Sequence, residues 1–283
     1  MQSPAENAQL ALLLEVSGTP KPGNVDRRRD LEDLRFEHFL AGAVGAGQGL
    51  RMAENGSAVG PAFERAVAGM ADQRGGNTQF GALLLLVPLV RASSDDLSQP
   101  ILESVLEGTT VADAAAFYRA FEHADVFVSE PPADAEPLDV RHGADAIPEL
   151  EDRGLTLLGV MDLGAAGDDV AREWVTGFER SFSAAQRLAA ADGPITTRTA
   201  ETFLSLLAER PDTLVAKKHG EDVAREVTDR AAELLEANAL SSDREALEAF
   251  ADDLVARGIN PGTTADITAA GLFIGLERGG LEV

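Results

Sequence analysis

The chain has 283 residues, 45% of them hydrophobic, and its 48 acidic against 24 basic side chains give a formal net charge of −24. That composition supports a globular core and excludes global disorder; with no basic patch, it argues against unassisted binding to nucleic acid or to an anionic membrane. There is no cysteine, so disulfides and thiolate zinc or iron–sulfur sites are ruled out.

The start, Met1 to Glu6, lacks the basic stretch and apolar run of a secretory signal. Ser3-Pro4-Ala5-Glu6 is a capping box with Pro at the first helical position, and predicts a helix with Leu10, Leu13 and Leu14 on its apolar face, ending at Gly18. A loop over 18–34 follows. Phe36, Phe39, Leu40, Ala43 and Val44 mark a second helix, and Gly60-Pro61 opens a third carrying Phe63, Val67 and Met70. Gly75-Gly76-Asn77-Thr78 reads as a turn. Thr78 is expected to cap a helix to about Val90 that is apolar nearly all round, and so central in the core. Its run from Ala82 to Val90, interrupted by Pro88, is far short of the ~20 residues that span a bilayer. Helices are expected over 99–107 and 110–124, and 129–143, with Pro131, Pro132 and Pro137, is the clearest irregular stretch and a candidate flap. Helical spacing returns over 145–163. Asp168 starts a long helix through Trp174, Phe178 and Phe182 to about Ala190; further helices fit 196–209 and 213–239. Ser242 opens a capping box for a helix ending at Gly258, and Thr263 to Asp266 cap the last, through Leu272, Phe273 and Leu276. Val126-Phe127-Val128 is the one alternating run, too short for a strand. The expected fold is all-α, a single unit over 1–283. The evenly spread acidity suits the cytoplasm of a salt-loving cell.

Only three of the 24 cations are lysines, Lys21, Lys217 and Lys218. Lysine is a mobile point charge that suits phosphate. Lys21 stands in Thr19-Pro20-Lys21-Pro22-Gly23-Asn24, a stiff turn that either grips phosphate or merely joins helices. Arg74 to Gly81 leads glycines into a helix N-terminus, which can meet an anion or simply cap. Asp212 lies ahead of Lys217 and Lys218 in a set able to hold a metal-bound triphosphate, or simply in an exposed helix start. Asn260-Pro261-Gly262 leads to Asp266, a candidate Mg²⁺ ligand or a helix cap. No histidine pair has metal-ligand spacing.

Taken in order, these segments resemble the triphosphoribosyl-dephospho-CoA synthase family. The likeness rests on Glu15, Val16, Pro20, Lys21, Pro22, Gly23 and Asp26; on Asn77, Thr78 and Gly81; on Asp212, Thr213, Lys217 and Lys218; and on Asn260, Pro261, Gly262, Ala265 and Asp266. After the first motif the chain carries Arg27 to Phe36 in place of the Gly-Ala-His and Asp-Met stretch of members that serve citrate lyase, and so looks more like the archaeal branch. The resemblance implies transfer of a triphosphoribosyl group from ATP, with adenine release, to 3′-dephospho-CoA or a related acceptor, with Mg²⁺. It implies ATP-phosphate contacts from Lys21, Gly23, Asn77, Thr78, Gly81, Lys217, Lys218, Asn260 and Gly262. Glu15, Asp26 and Asp212 are candidates for catalysis, and Asp266 and Asp212 for the metal. An Mg²⁺-dependent nucleotide N-glycosidic hydrolase and a non-catalytic nucleotide-binding protein remain the alternatives. Oligomeric state is not legible.

Overall fold

The structure, a computed structural model, describes residues 2–93, 96–128 and 136–283. Among the described residues every regular element is helical, and Val126 to Val128 form no strand. In order the α-helices are α1 (Pro4–Ser17), α2 (Phe36–Gly45), α3 (Gly47–Glu54), α4 (Val59–Met70), α5 (Phe80–Ala92), α6 (Gln99–Glu107) and α7 (Val111–Ala120). Two 3₁₀ segments, Glu136–Leu138 and Val140–Ala146, lead to α8 (Ile147–Arg153), α9 (Leu157–Gly164), α10 (Asp169–Val175), α11 (Glu179–Ala190) and α12 (Ile195–Glu209). The chain closes with α13 (Thr213–His219), α14 (Glu221–Glu236), α15 (Ala239–Ser242), α16 (Arg244–Ala256) and α17 (Gly262–Glu277).

The capping box at Ser3 forms as expected, with Ser3 and Glu6 each accepting the other's backbone N–H. Helix α5 is buried on nearly every side from Phe80 to Ala92, as its all-round apolar pattern requires. It shares the centre with α17, which packs on α1, α5, α11 and α12. The expected face of α1 is only part of what it buries. Leu14 is buried and Leu10 and Leu13 partly so, while Ala5, Ala8 and Ala11 are fully covered, because small side chains let neighbouring helices close in on several sides.

Two apolar clusters meet along α17. Ala265 belongs to a cluster built from α12 to α16, with Phe203, Val227, Leu247 and Leu254; Ile267, Ala269 and Phe273 belong to the main cluster of α1, α4, α5, α7 and α11. Asp266 stands between them, at the seam where a substrate cleft is commonly built.

Several boundaries differ from expectation. The long helix from Asp168 is two, because Gly177 and Phe178 both take left-handed φ values, 65° and 62°, and turn the chain. The expected helix over 213–239 breaks at Gly220, whose φ is 93°. The stretch 145–163 divides at Gly154, also left-handed. Asp243, not Ser242, caps α16 by accepting the Ala246 N–H at 3.1 Å. Asn77, not Thr78, supplies a side-chain acceptor at the start of α5, taking the Phe80 N–H at 3.1 Å. Of the candidate flap 129–143, residues 129–135 lie outside the described residues. The remainder is tied down by the Tyr118 hydroxyl donating to the Leu138 carbonyl at 2.6 Å and by the Asp139–Arg141 ion pair.

Candidate active site

The first motif folds back on itself around Asp26. One carboxylate oxygen accepts the Thr19 hydroxyl, the Lys21 N–H and the Arg29 guanidinium at 3.0, 3.1 and 3.2 Å; the other accepts the Arg28 and Arg29 N–H groups at 2.7 and 3.1 Å. Five donors leave Asp26 no capacity for a proton or a metal, and make it the organiser of the turn. Lys21 is not presented to solvent. It is fully buried, ion-paired to Glu15, hydrogen-bonded to Asn24 Oδ1 at 3.2 Å, and 5.8 Å from the centre of the Phe203 ring. Burial pushes the Glu15 carboxyl up from its ordinary value, while the Lys21 ammonium pulls it back down.

This turn sits against the fourth motif. Gly23, at φ 72°, lets the two backbones close, since a Cβ there would lie 2.2 Å from the Ile259 carbonyl oxygen. Asn24 Nδ2 donates to Asn260 Oδ1 at 2.9 Å. The third motif joins through Asp212, whose Oδ1 caps its own helix α13 by accepting the Leu214 and Val215 N–H groups at 2.9 and 3.1 Å. Its Oδ2 accepts the Thr264 N–H and hydroxyl, both at 2.8 Å, so one buried carboxylate caps two helices. Burial raises the Asp212 carboxyl, and these four donors oppose the rise. The expected local cap of the last helix is therefore replaced by a residue 52 positions away. Thr213 and Thr263 meet at 3.2 Å, and a Cβ on Gly262 would lie 2.7 Å from Leu214 Cδ2.

The second motif arrives through Gly81, where a Cβ would fall 2.1 Å from Asp266 Oδ2. Asp266 is thus the meeting point of all four segments. It is partly exposed, and the Ala82 N–H donates to it. Its carboxyl is pushed well above the ordinary value, first by desolvation and then by the charges of Glu15, Asp212 and Asp168. Asp168, read from sequence only as a helix start, is the missed member of the cluster. It caps α10 through the Val170 and Ala171 N–H groups and takes Lys217 Nζ on Oδ2 at 2.5 Å. Lys218 is exposed, with its ammonium 5.1 Å from the centre of the Phe127 ring. Thr78 and Asn77 stay at the entry to α5, where a Cβ on Gly42 would lie 2.6 Å from Thr78 Oγ1.

A surface groove of about 800 Å³ between α14 and α16 is lined by Arg225, Arg230 and Arg257 among acids and includes none of these residues. Gly81→Ala is expected to displace the Asp266 carboxylate and cut turnover by about 10²-fold. A variant with wild-type turnover would show that the position of Asp266 does not matter.

A partly buried acid whose carboxyl is raised by the charges of three other carboxylates, with Lys217 reaching Asp168 at its edge, marks a candidate active centre in an all-α frame. A profile of the ATP:dephospho-CoA triphosphoribosyl transferase family matches residues 1–282, and the chain belongs to that family of transferases. It is 29% identical over 282 residues to the 2-(5''-triphosphoribosyl)-3'-dephosphocoenzyme-A synthase of Pectobacterium atrosepticum, covering 92% of this chain and 84% of the relative. Its fold matches a crystal structure from Archaeoglobus fulgidus, described as a candidate triphosphoribosyl-dephospho-CoA synthase, with a TM-score of 0.69 and 26% identity over 85% of this chain and 99% of that one.

Proposed function

We propose that the chain, acting as one catalytic unit over 1–283, transfers the triphosphoribosyl group of ATP to a hydroxyl of 3′-dephospho-CoA, and that Asp266 is the carboxylate at the reacting centre. The bond from ribose C1′ to adenine breaks, a bond from C1′ to the acceptor oxygen forms, and the hydroxyl proton ends on the departing base. The transition state resembles an oxocarbenium ion, as in glycoside chemistry. An ionised carboxylate beside it balances the charge at C1′ and relays the proton. The observation that carries this reading is the convergence of all four motifs on Asp266. The other candidate acids Asp26 and Asp212 have their oxygens filled by five and four protein donors, while Asp266 has the Ala82 N–H.

Lys217 and Lys218 are assigned to the triphosphate; Lys21 and Asp26 shape the turn. Mg²⁺ fits Asp266 and does not fit Asp212. Among the described residues no three acids or histidines gather to hold a metal, but Mg²⁺ characteristically uses one or two carboxylates with substrate phosphates and water. Asp266 would hold it there, and it would supply charge neutralisation to the triphosphate. Incubation with ATP, Mg²⁺ and dephospho-CoA at high salt is expected to yield adenine and an acceptor heavier by triphosphoribose. Adenine with free triphosphoribose would mean a hydrolase, and no adenine would overturn the reading.

A further inference from the structure

Phe127 is the one aromatic side chain that the described residues leave exposed, at 47%, while Trp174 and Tyr118 are buried. A phenyl ring half in water leaves apolar surface that a planar ligand can cover. Above it, at 5.1 Å from the ring centre, lies the ammonium of Lys218, one of three lysines in a chain of net charge −24. The residue before Lys218 is Lys217, whose ammonium reaches Asp168, and the charge of Asp168 acts on Asp266. Two consecutive residues of α13 thus send one ammonium to the acid cluster and the next to the exposed ring. A flat, polarisable ring with a cation beside it suits a planar, electron-rich base carrying phosphates.

We infer that Phe127 and Lys218 form the platform on which an adenine ring stacks at the mouth of the site, with Lys218 meeting the phosphates attached to it. The inference rests on the transferase reading, in which both substrates carry adenine: ATP, which loses it, and dephospho-CoA, which keeps it. Stacking uses only the face of the base, so it serves either source.

The test is equilibrium binding by calorimetry of ATP, dephospho-CoA and inorganic tripolyphosphate to the wild-type chain and to Phe127→Ala, Phe127→Leu and Phe127→Trp. The Ala and Leu variants are expected to bind one or both adenine-bearing ligands about tenfold more weakly, with tripolyphosphate unchanged, and the Trp variant to bind as wild type. Loss confined to ATP assigns the platform to the donor's base, and loss confined to dephospho-CoA assigns it to the acceptor's. Leucine keeps the apolar bulk without the aromatic face, so a Leu variant that binds both ligands as wild type would overturn the platform. Equal weakening of tripolyphosphate would overturn it too, because the substitution would then have disturbed the site as a whole. Adenine release by the wild-type chain is measured separately. A wild type that binds ATP but never releases adenine defeats the transferase reading and leaves the binding comparison intact.

Discussion

Asp266→Asn should fold as stably as the wild type or more so, and release adenine from ATP at least about 10²- to 10³-fold more slowly. Stability is not at risk from a lost cap, since Asp212 holds the start of α17 through Thr264. Asparagine has the same outline as aspartate, so it fits against Gly81, and its oxygen can still accept the Ala82 N–H. What it removes is a negative charge crowded by Glu15, Asp212 and Asp168. The sign of the pH dependence follows from that crowding. The folded state binds the Asp266 proton more tightly than the unfolded chain does, so ionising the group costs stability as pH rises from the ordinary 3.8 through the raised folded value. Asparagine carries no such cost. In metal-free buffer the two proteins should melt together near pH 4, and the variant should gain as pH rises towards 7. Calorimetric melts across that range, with adenine release at saturating Mg²⁺, check both halves. Normal adenine release would return Asp266 to a packing role.

The helix starts were legible because their signals are local. Ser3, Asp168 and Asp212 each accept a backbone N–H two or three residues on, a geometry that needs only the residue and its neighbours. The breaks were not, since Trp174, Phe178 and Phe182 keep helical spacing and are all buried although the chain turns between them. The same divide runs through the site. Four charged or glycine-bearing segments marked where the chain converges. Their roles depend on long-range partners: Asp212 on Thr264, Lys217 on Asp168, Asn24 on Asn260. A capping aspartate looks the same in sequence whether or not a lysine 49 residues away reaches it, which is why Asp168 escaped notice.

Lys21→Ala should destabilise the fold by about 3–5 kcal/mol, because it leaves Glu15 buried without its partner. For a chain of this size that lowers Tm by about 10 °C. The sequence suggested a lysine offered to phosphate on a stiff turn, but the ammonium is fully buried between Glu15, Asn24 and the Phe203 ring, where no triphosphate reaches it. Replacing both partners, Glu15→Leu with Lys21→Met, should recover most of the loss, since two apolar groups of similar volume leave no uncompensated charge. Lys217→Ala is the contrasting case. Its ion pair with Asp168 is partly exposed on both sides, so its loss should cost less than about 1 kcal/mol while weakening ATP binding about tenfold. Thermal melts and ATP titrations of the same four proteins separate the two lysines. If Lys21→Ala melts with the wild type and loses ATP, Lys21 contacts phosphate after all and the turn must open to present it; if it unfolds early and the double variant is restored, the buried pair is a structural element of the turn.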